Sequence, residues 1–180
     1  MSEFDDKTVL ITGAAGVLGQ AVANIFDTSG ARVVGVDVVP FEAPYETHQA
    51  DLIDPEGAAQ VVKSVGTIDI LANIAGGFTM GDSVADTSDA TWDFMFNLNA
   101  RTVLNMARAV APLMVERKSG KIINIGARAG LRGSASMAAY AASKSVVIRL
   151  TESQACLLYT SAAADERSSV ALGGRRINKK

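Results

Sequence analysis

The chain has 180 residues, 48 % of them hydrophobic and 20 % charged, with a formal net charge of −2. That leaves room for one buried core, excludes a disordered chain, and contains no apolar run of the roughly 18 residues that would span a bilayer. The acidic balance, single cysteine and single histidine leave no basic footprint for nucleic acid, no internal disulfide and no cysteine-rich zinc site. The first residues, "MSEFDDKTVL", are acidic and lack the apolar core of a signal peptide, so a cytoplasmic location is expected. "KTVLIT" (7–12) is a β-branched run ending at glycine, a strand signal. In "GVLGQAVANIFDTSG", Leu18, Val22, Ile25 and Phe26 fall at helical spacing, and Gly30 is the stop. "ARVVGVDVV" predicts a second strand, and His48 falls in a polar connection after it. "DPEGAAQVVKSVG" predicts a helix over 54–66, opened by Asp54 and Pro55. "IDILANIAGG" is strand-like, a long helix is predicted from 88 to 118, and "GKIINIG" is another strand. The last helix starts near "AYAASKSVVIRL" and carries Tyr140 and Lys144.

Apolar strands alternating with helices predict an α/β fold: a doubly wound parallel sheet, Rossmann-like, in three αβα layers. The pattern changes near Cys156. "CLLYTSAAADERSSVALGGRRINKK" holds no sustained period, and the further strands such a sheet should have are not legible in it. The sheet is therefore expected to be incomplete on its C-terminal side.

"ITGAAGVLG" sets Gly13, Gly16 and Gly19 between the first strand and the first helix. Such spacing permits a tight turn, lets backbone N–H groups approach a pyrophosphate, and packs the helix close to the strand. The helix N-terminus adds partial positive charge. Eighteen residues beyond Gly19, Asp37 ends the second strand, where a carboxylate can accept hydrogen bonds from an adenosine ribose and would repel a 2′-phosphate. With no basic residue in the turn or just after Asp37, the expected cofactor is NAD, with NADP less favoured.

With these motifs in place, residues 5–155 resemble the short-chain dehydrogenase/reductase family. "TGAAGVLG", which includes Leu18, looks like the family's glycine turn in a variant spacing. "ADL" matches its adenine-contacting position through Asp51 and Leu52. In "ANIAGG", Asn73, Ala75 and Gly76 match its Asn-Asn-Ala-Gly motif. Asn99 in "WDFMFNLN" aligns with the family's catalytic Asn, and "YAASK" with its Tyr-x-x-x-Lys. The resemblance implies a soluble oxidoreductase moving hydride between nicotinamide and an alcohol or carbonyl. Tyr140 would exchange a proton with the substrate oxygen, Lys144 would hold the nicotinamide ribose, and Asn99 would hold a relay water. The spacing supports the pairing, because residues four apart share a helix face and an ammonium stabilises a nearby phenolate. The resemblance also implies homo-oligomers formed through the two long helices, a small-molecule substrate, and neither membrane nor metal.

Two departures stand out. Thirteen residues before Tyr140, where the family usually has Ser, this chain has Ala127; Ser134 and Ser136 lie in the loop that follows. Dihydropteridine reductases also lack that Ser and share the "AGG" and the glycine spacing, which makes a quinonoid pteridine-like substrate an alternative. The absent Ser equally motivates a dinucleotide-binding protein without catalysis. The second departure is the end of the chain, which resembles translated sequencing-adapter DNA. A domain over 1–155 is expected, then a non-native or disordered tail over 156–180. A chain so truncated is expected to be poorly soluble or partly unfolded, with little turnover.

Overall fold

A computed structural model describes residues 4–161. Five parallel strands form one sheet: β1 (Thr8–Thr12), β2 (Arg32–Asp37), β3 (Glu46–Gln49), β4 (Ile70–Asn73) and β5 (Lys121–Asn124), in the order β3-β2-β1-β4-β5. Helix α1 (Val17–Thr28) links β1 to β2, and α2 (Pro55–Val65) links β3 to β4. A long helix comprising α3 (Asp89–Phe96), a π-helical turn (Asn97–Arg101) and α4 (Thr102–Arg117) precedes β5. After β5 come a short 3₁₀ turn (Arg128–Gly130) and α5 (Ala138–Ser161).

The three central strands, β2, β1 and β4, are apolar on both faces. Along β1, Leu10 points into a core with Val61, Val62 and Val65 of α2 and Met106, Val110 and Met114 of α4. Its neighbours Val9 and Ile11 point the other way, packing with Ala23 of α1 and with Val22 and Phe26. This alternation is the two-residue period of a strand covered on both sides. It makes the three αβα layers predicted from sequence. Leu10 and Leu71 are fully buried, so Leu→Ala at either costs about 2–5 kcal/mol.

The helix ends are written in the sequence. Asp54 caps α2 by accepting the Glu56 N–H, and Ser88 caps α3 by accepting that of Thr91. Helix α1 differs: its N-cap is Gly16 and no side chain caps it.

Three features depart from the sequence-based expectations. His48 lies in strand β3, not in a connection, pairing with Val36 of β2. Glu46 on this edge strand binds Arg32 at 2.6 Å and His48 at 2.9 Å, and these contacts, His48 first, hold its carboxyl below the usual carboxylate range. The helix expected from 88 to 118 contains the π turn, an extra-residue distortion that recurs at functional sites. Helix α5 continues through position 156 to Ser161; no glycine or proline interrupts it there. The expected tail from 162 onward lies outside the described residues. Among those described, β5 is the outermost strand on its side.

Candidate active site

The chain runs from β1 outward to β2 and β3, then returns to place β4 on the other side of β1. That reversal opens a crevice at the carboxyl ends of β1 and β4, the usual ligand position in such sheets. A cavity of about 760 Å³ occupies it, within the range of small-molecule and cofactor sites.

One wall is the glycine turn. Gly13 has φ +67°, and a Cβ there would stand 2.8 Å from the Ala75 backbone. A Cβ on Gly19 would stand 2.1 Å from the Gly13 carbonyl oxygen. Both positions therefore exclude a side chain, one by close approach to the loop after β4 and one by helix–turn packing. Thr12 fastens the same junction: its Oγ1 accepts the N–H groups of Ile74 and Ala75, each at 3.0 Å. The Asp37 carboxylate reaches back to the turn, accepting the Ala15 N–H at 3.0 Å through Oδ2.

The far end is shaped by the loop after β3. Asp51 Oδ1 accepts the Ile53 N–H at 2.8 Å. Buried Asn105 of α4 donates to the carbonyls of Leu52 at 3.0 Å and Ile53 at 2.9 Å. These bonds fix the loop, so that Leu52 and Ile53 line the cavity.

The opposite wall comes from the loop after β4 and from α5. Asn99 is fully buried on the π turn. Its Oδ1 accepts the Gly77 N–H at 2.9 Å, while its Nδ2 donates to the Gly77 carbonyl at 3.1 Å and to Ser143 Oγ at 3.1 Å. Lys144 is 6 % exposed, and its Nζ donates to the Ile125 carbonyl at 2.9 Å. Burial pushes the Lys144 pKa down. Tyr140 faces the same cavity with Phe78 packed edge-on against its ring.

The cavity thus brings together eleven of the expected site residues: Gly13, Gly16, Leu18, Gly19, Asp37, Asp51, Leu52, Ala75, Gly76, Tyr140 and Lys144. Two others stand behind its lining. Asn99 lies beneath Gly76 and Gly77. Asn73 is buried between strands, donating to Asn124 Oδ1 at 2.8 Å. Ala127 is extended at the start of the 3₁₀ turn and carries no hydroxyl. Ser134 is exposed, and Ser136 lies with Tyr140 around a separate small hollow. Thr12, Asn105 and Ser143 escaped the sequence reading. The only local signals were a threonine before the glycine turn and a serine before Lys144.

The residues present fit a dinucleotide. Glycines form a cradle that Cβ atoms would fill, and the uncapped first turn of α1 leaves N–H groups for a phosphate. Among the described residues, no group of three or more His, Cys, Asp or Glu is placed to hold a metal ion. No helix among them is long and apolar enough to cross a membrane.

Comparison with known proteins agrees with this geometry. The profile of the short chain dehydrogenase family matches residues 7–162. A short-chain dehydrogenase/reductase of Penicillium canescens, olcF, is 37 % identical over 86 % of this chain and 64 % of its own length. A 2,3-dihydro-2,3-dihydroxybenzoate dehydrogenase of Bacillus subtilis is 33 % identical over 83 % of this chain and 63 % of its own. Among solved structures, an NAD⁺-bound xylitol dehydrogenase superposes with a TM-score of 0.82 at 26 % identity, covering 93 % of this chain and 70 % of that one. The chain belongs to the short-chain dehydrogenase family. It spans a little under two thirds of the length of the curated relatives, 64 % for the first.

Proposed function

We propose that this chain carries the cofactor-binding and proton-transfer parts of an NAD(H)-dependent oxidoreductase acting on an alcohol or carbonyl. The observation that carries the reading is the single cavity shared by the glycine turn, Asp37, Tyr140 and Lys144. The nicotinamide, when bound, supplies or accepts the hydride. The protein's own groups do the rest. The turn and the start of α1 hold the pyrophosphate, and Asp37 keeps lone pairs for ribose hydroxyls beyond those used by the N–H groups of Ala15 and Val39. Lys144 is the one cationic side chain among the described lining residues, so nothing cationic near Asp37 welcomes a 2′-phosphate. This favours NAD over NADP.

Tyr140 gives a proton to the carbonyl oxygen in reduction and takes it back in oxidation. The Lys144 ammonium, fixed by the Ile125 carbonyl, stabilises the phenolate formed and binds the nicotinamide ribose. Asn99 holds the Gly77 loop and serves the proton relay. A cytoplasmic enzyme that self-associates through α3–α4 and α5 completes the reading. Two measurements test it: NADH should bind more tightly than NADPH, and Tyr140→Phe should abolish NADH-dependent carbonyl reduction while NADH still binds. Tighter NADPH binding, or turnover persisting in Tyr140→Phe, would overturn it.

Ala127 supports a second reading. Without a hydroxyl at that position, the substrate oxygen has one fewer donor. Either the chain binds dinucleotide without catalysis, or its substrate brings polar groups of its own, as a quinonoid pteridine-like ring would. NADH binding with no oxidation by any carbonyl or quinonoid acceptor would favour the non-catalytic alternative.

A further inference from the structure

We propose that Phe78 is a specificity-determining wall of the substrate pocket, selecting flat conjugated-ring carbonyls over open-chain ones. This rests on the reading of Tyr140 as the group that meets the substrate oxygen. The placement of Phe78 follows from the two glycines before it. A Cβ on Gly76 would stand 2.8 Å from Asn99 Oδ1, and one on Gly77 would stand 2.6 Å from Leu98 Cδ2. The loop leaving β4 is therefore pressed onto the π turn, and Phe78 is the first residue beyond it with a side chain. Its ring meets Tyr140 edge-to-face, with centroids 4.8 Å apart and planes at 87°. That contact orients the ring.

Phe78 nonetheless stays 57 % exposed and lines the cavity. Phe94, also lining it, is 58 % exposed. Tyr140 also borders a separate small hollow, lined by Met80 and Met137 but also by Asp82, Thr87 and Thr91. The charged groups of the cavity are Asp37 and Asp51 at the far end and Lys144, already bonded to Ile125. Alanine at position 127 adds no hydroxyl. Within the main cavity, a ligand body beside Tyr140 therefore meets apolar area and the Phe78 ring rather than an unpaired charge. An aromatic face rewards another π system over an alkyl chain of equal size.

The test compares two ketones of equal carbon count, 1-indanone and 2-nonanone, binding to the 180-residue chain saturated with NAD⁺ and measured by calorimetry. The chain ketone is the more flexible and hydrophobic, so general greasiness would favour it. The expected result is tighter binding of 1-indanone by about 3- to 10-fold, with the preference lost in Phe78→Leu, which keeps apolar bulk but removes the ring. NADH affinity, measured alongside, should stay within about twofold in Phe78→Leu and so report an intact fold. Equal weakening of both ketones in that variant, no preference in the parent chain, or no binding of either ketone overturns the proposal. Tyr140→Phe separates this from the catalytic reading, because it keeps the ring contact. It should retain the 1-indanone preference while losing NADH oxidation, and turnover surviving there would count against the role of Tyr140 alone.

Discussion

The Ser143 hydroxyl bridges Asn99 to the backbone of Tyr140: it accepts Asn99 Nδ2 at 3.1 Å and donates to the Tyr140 carbonyl at 2.8 Å. Asn99 in turn holds both backbone groups of Gly77. Three segments far apart in sequence are thereby tied at one level: the loop after β4, the π turn and α5. Asn99 and Ser143 are fully buried, and leaving a buried donor without a partner costs about 1–3 kcal/mol. Ser143→Ala should lower stability by about that amount, seen in chemical denaturation, and should slow NADH-dependent carbonyl reduction more than it weakens NADH binding. Ser143→Thr, which restores a hydroxyl, should recover part of the rate. Full activity in Ser143→Ala would show that the bridge does not position the site.

The glycine turn makes a prediction about space. A Cβ on Gly19 meets the Gly13 carbonyl oxygen at 2.1 Å, a contact that only backbone movement can relieve. Gly66, at φ +79°, has nothing within 4 Å of an added Cβ. Gly19→Ala should weaken NADH binding by more than about tenfold, because the first turn of α1 must shift from the phosphate position. Gly66→Ala, strained only in its own backbone, should cost about 1 kcal/mol of stability and leave NADH affinity unchanged. Fluorescence titration with NADH across both variants distinguishes local strain from damage to the cradle.

How far the sequence foretold this site depends on where each signal resides. The strands β1, β2 and β4 were legible because burial on both faces writes them as unbroken apolar runs. Strand β3 was not, since "ETHQ" sits at the sheet edge with Glu46 and His48 partly in solvent, and reads as connection. The π turn left no trace either: one extra residue in a turn barely disturbs the apolar spacing of a long helix. Motif residues such as Asp37 and Tyr140 could be placed because their neighbours carry the pattern. Thr12, Asn105 and Ser143 could not, because their partners lie 44 to 63 residues away and a buried polar side chain looks like any other until the fold brings the partner near.

Asp37 both braces the turn and faces the cavity. Its Oδ2 accepts the Ala15 N–H, and its Oδ1 accepts the Val39 N–H at 3.3 Å. Asp37→Asn preserves an acceptor for Ala15 but removes the charge, so it should bind NADPH better and NADH somewhat worse. Asp37→Ala loses the brace too, and should cost about 1–2 kcal/mol of stability as well. The two variants separate electrostatic exclusion of a 2′-phosphate from simple loss of structure. The check is the ratio of NADPH to NADH dissociation constants, which should move at least about tenfold toward NADPH in Asp37→Asn. An unchanged ratio would mean that some other feature sets cofactor choice.

Lys144 sets a pH dependence whose sign is fixed by its burial. Desolvation lowers its pKa in the folded chain, below the ordinary lysine value of about 10.4 that it recovers on unfolding. The unfolded state therefore holds its proton more tightly. The destabilisation is complete at pH values below the folded pKa, shrinks as pH rises from there toward about 10.4, and vanishes above. Lys144→Met keeps the length of the chain without the charge. At neutral pH it should be at least as stable as the parent in denaturant titrations, even though it gives up the bond to the Ile125 carbonyl. The stability of the parent relative to this variant should then improve as pH is raised toward about 10. A parent that instead loses ground to Lys144→Met over that range would mean the folded chain favours the ammonium, and that the Ile125 contact outweighs desolvation.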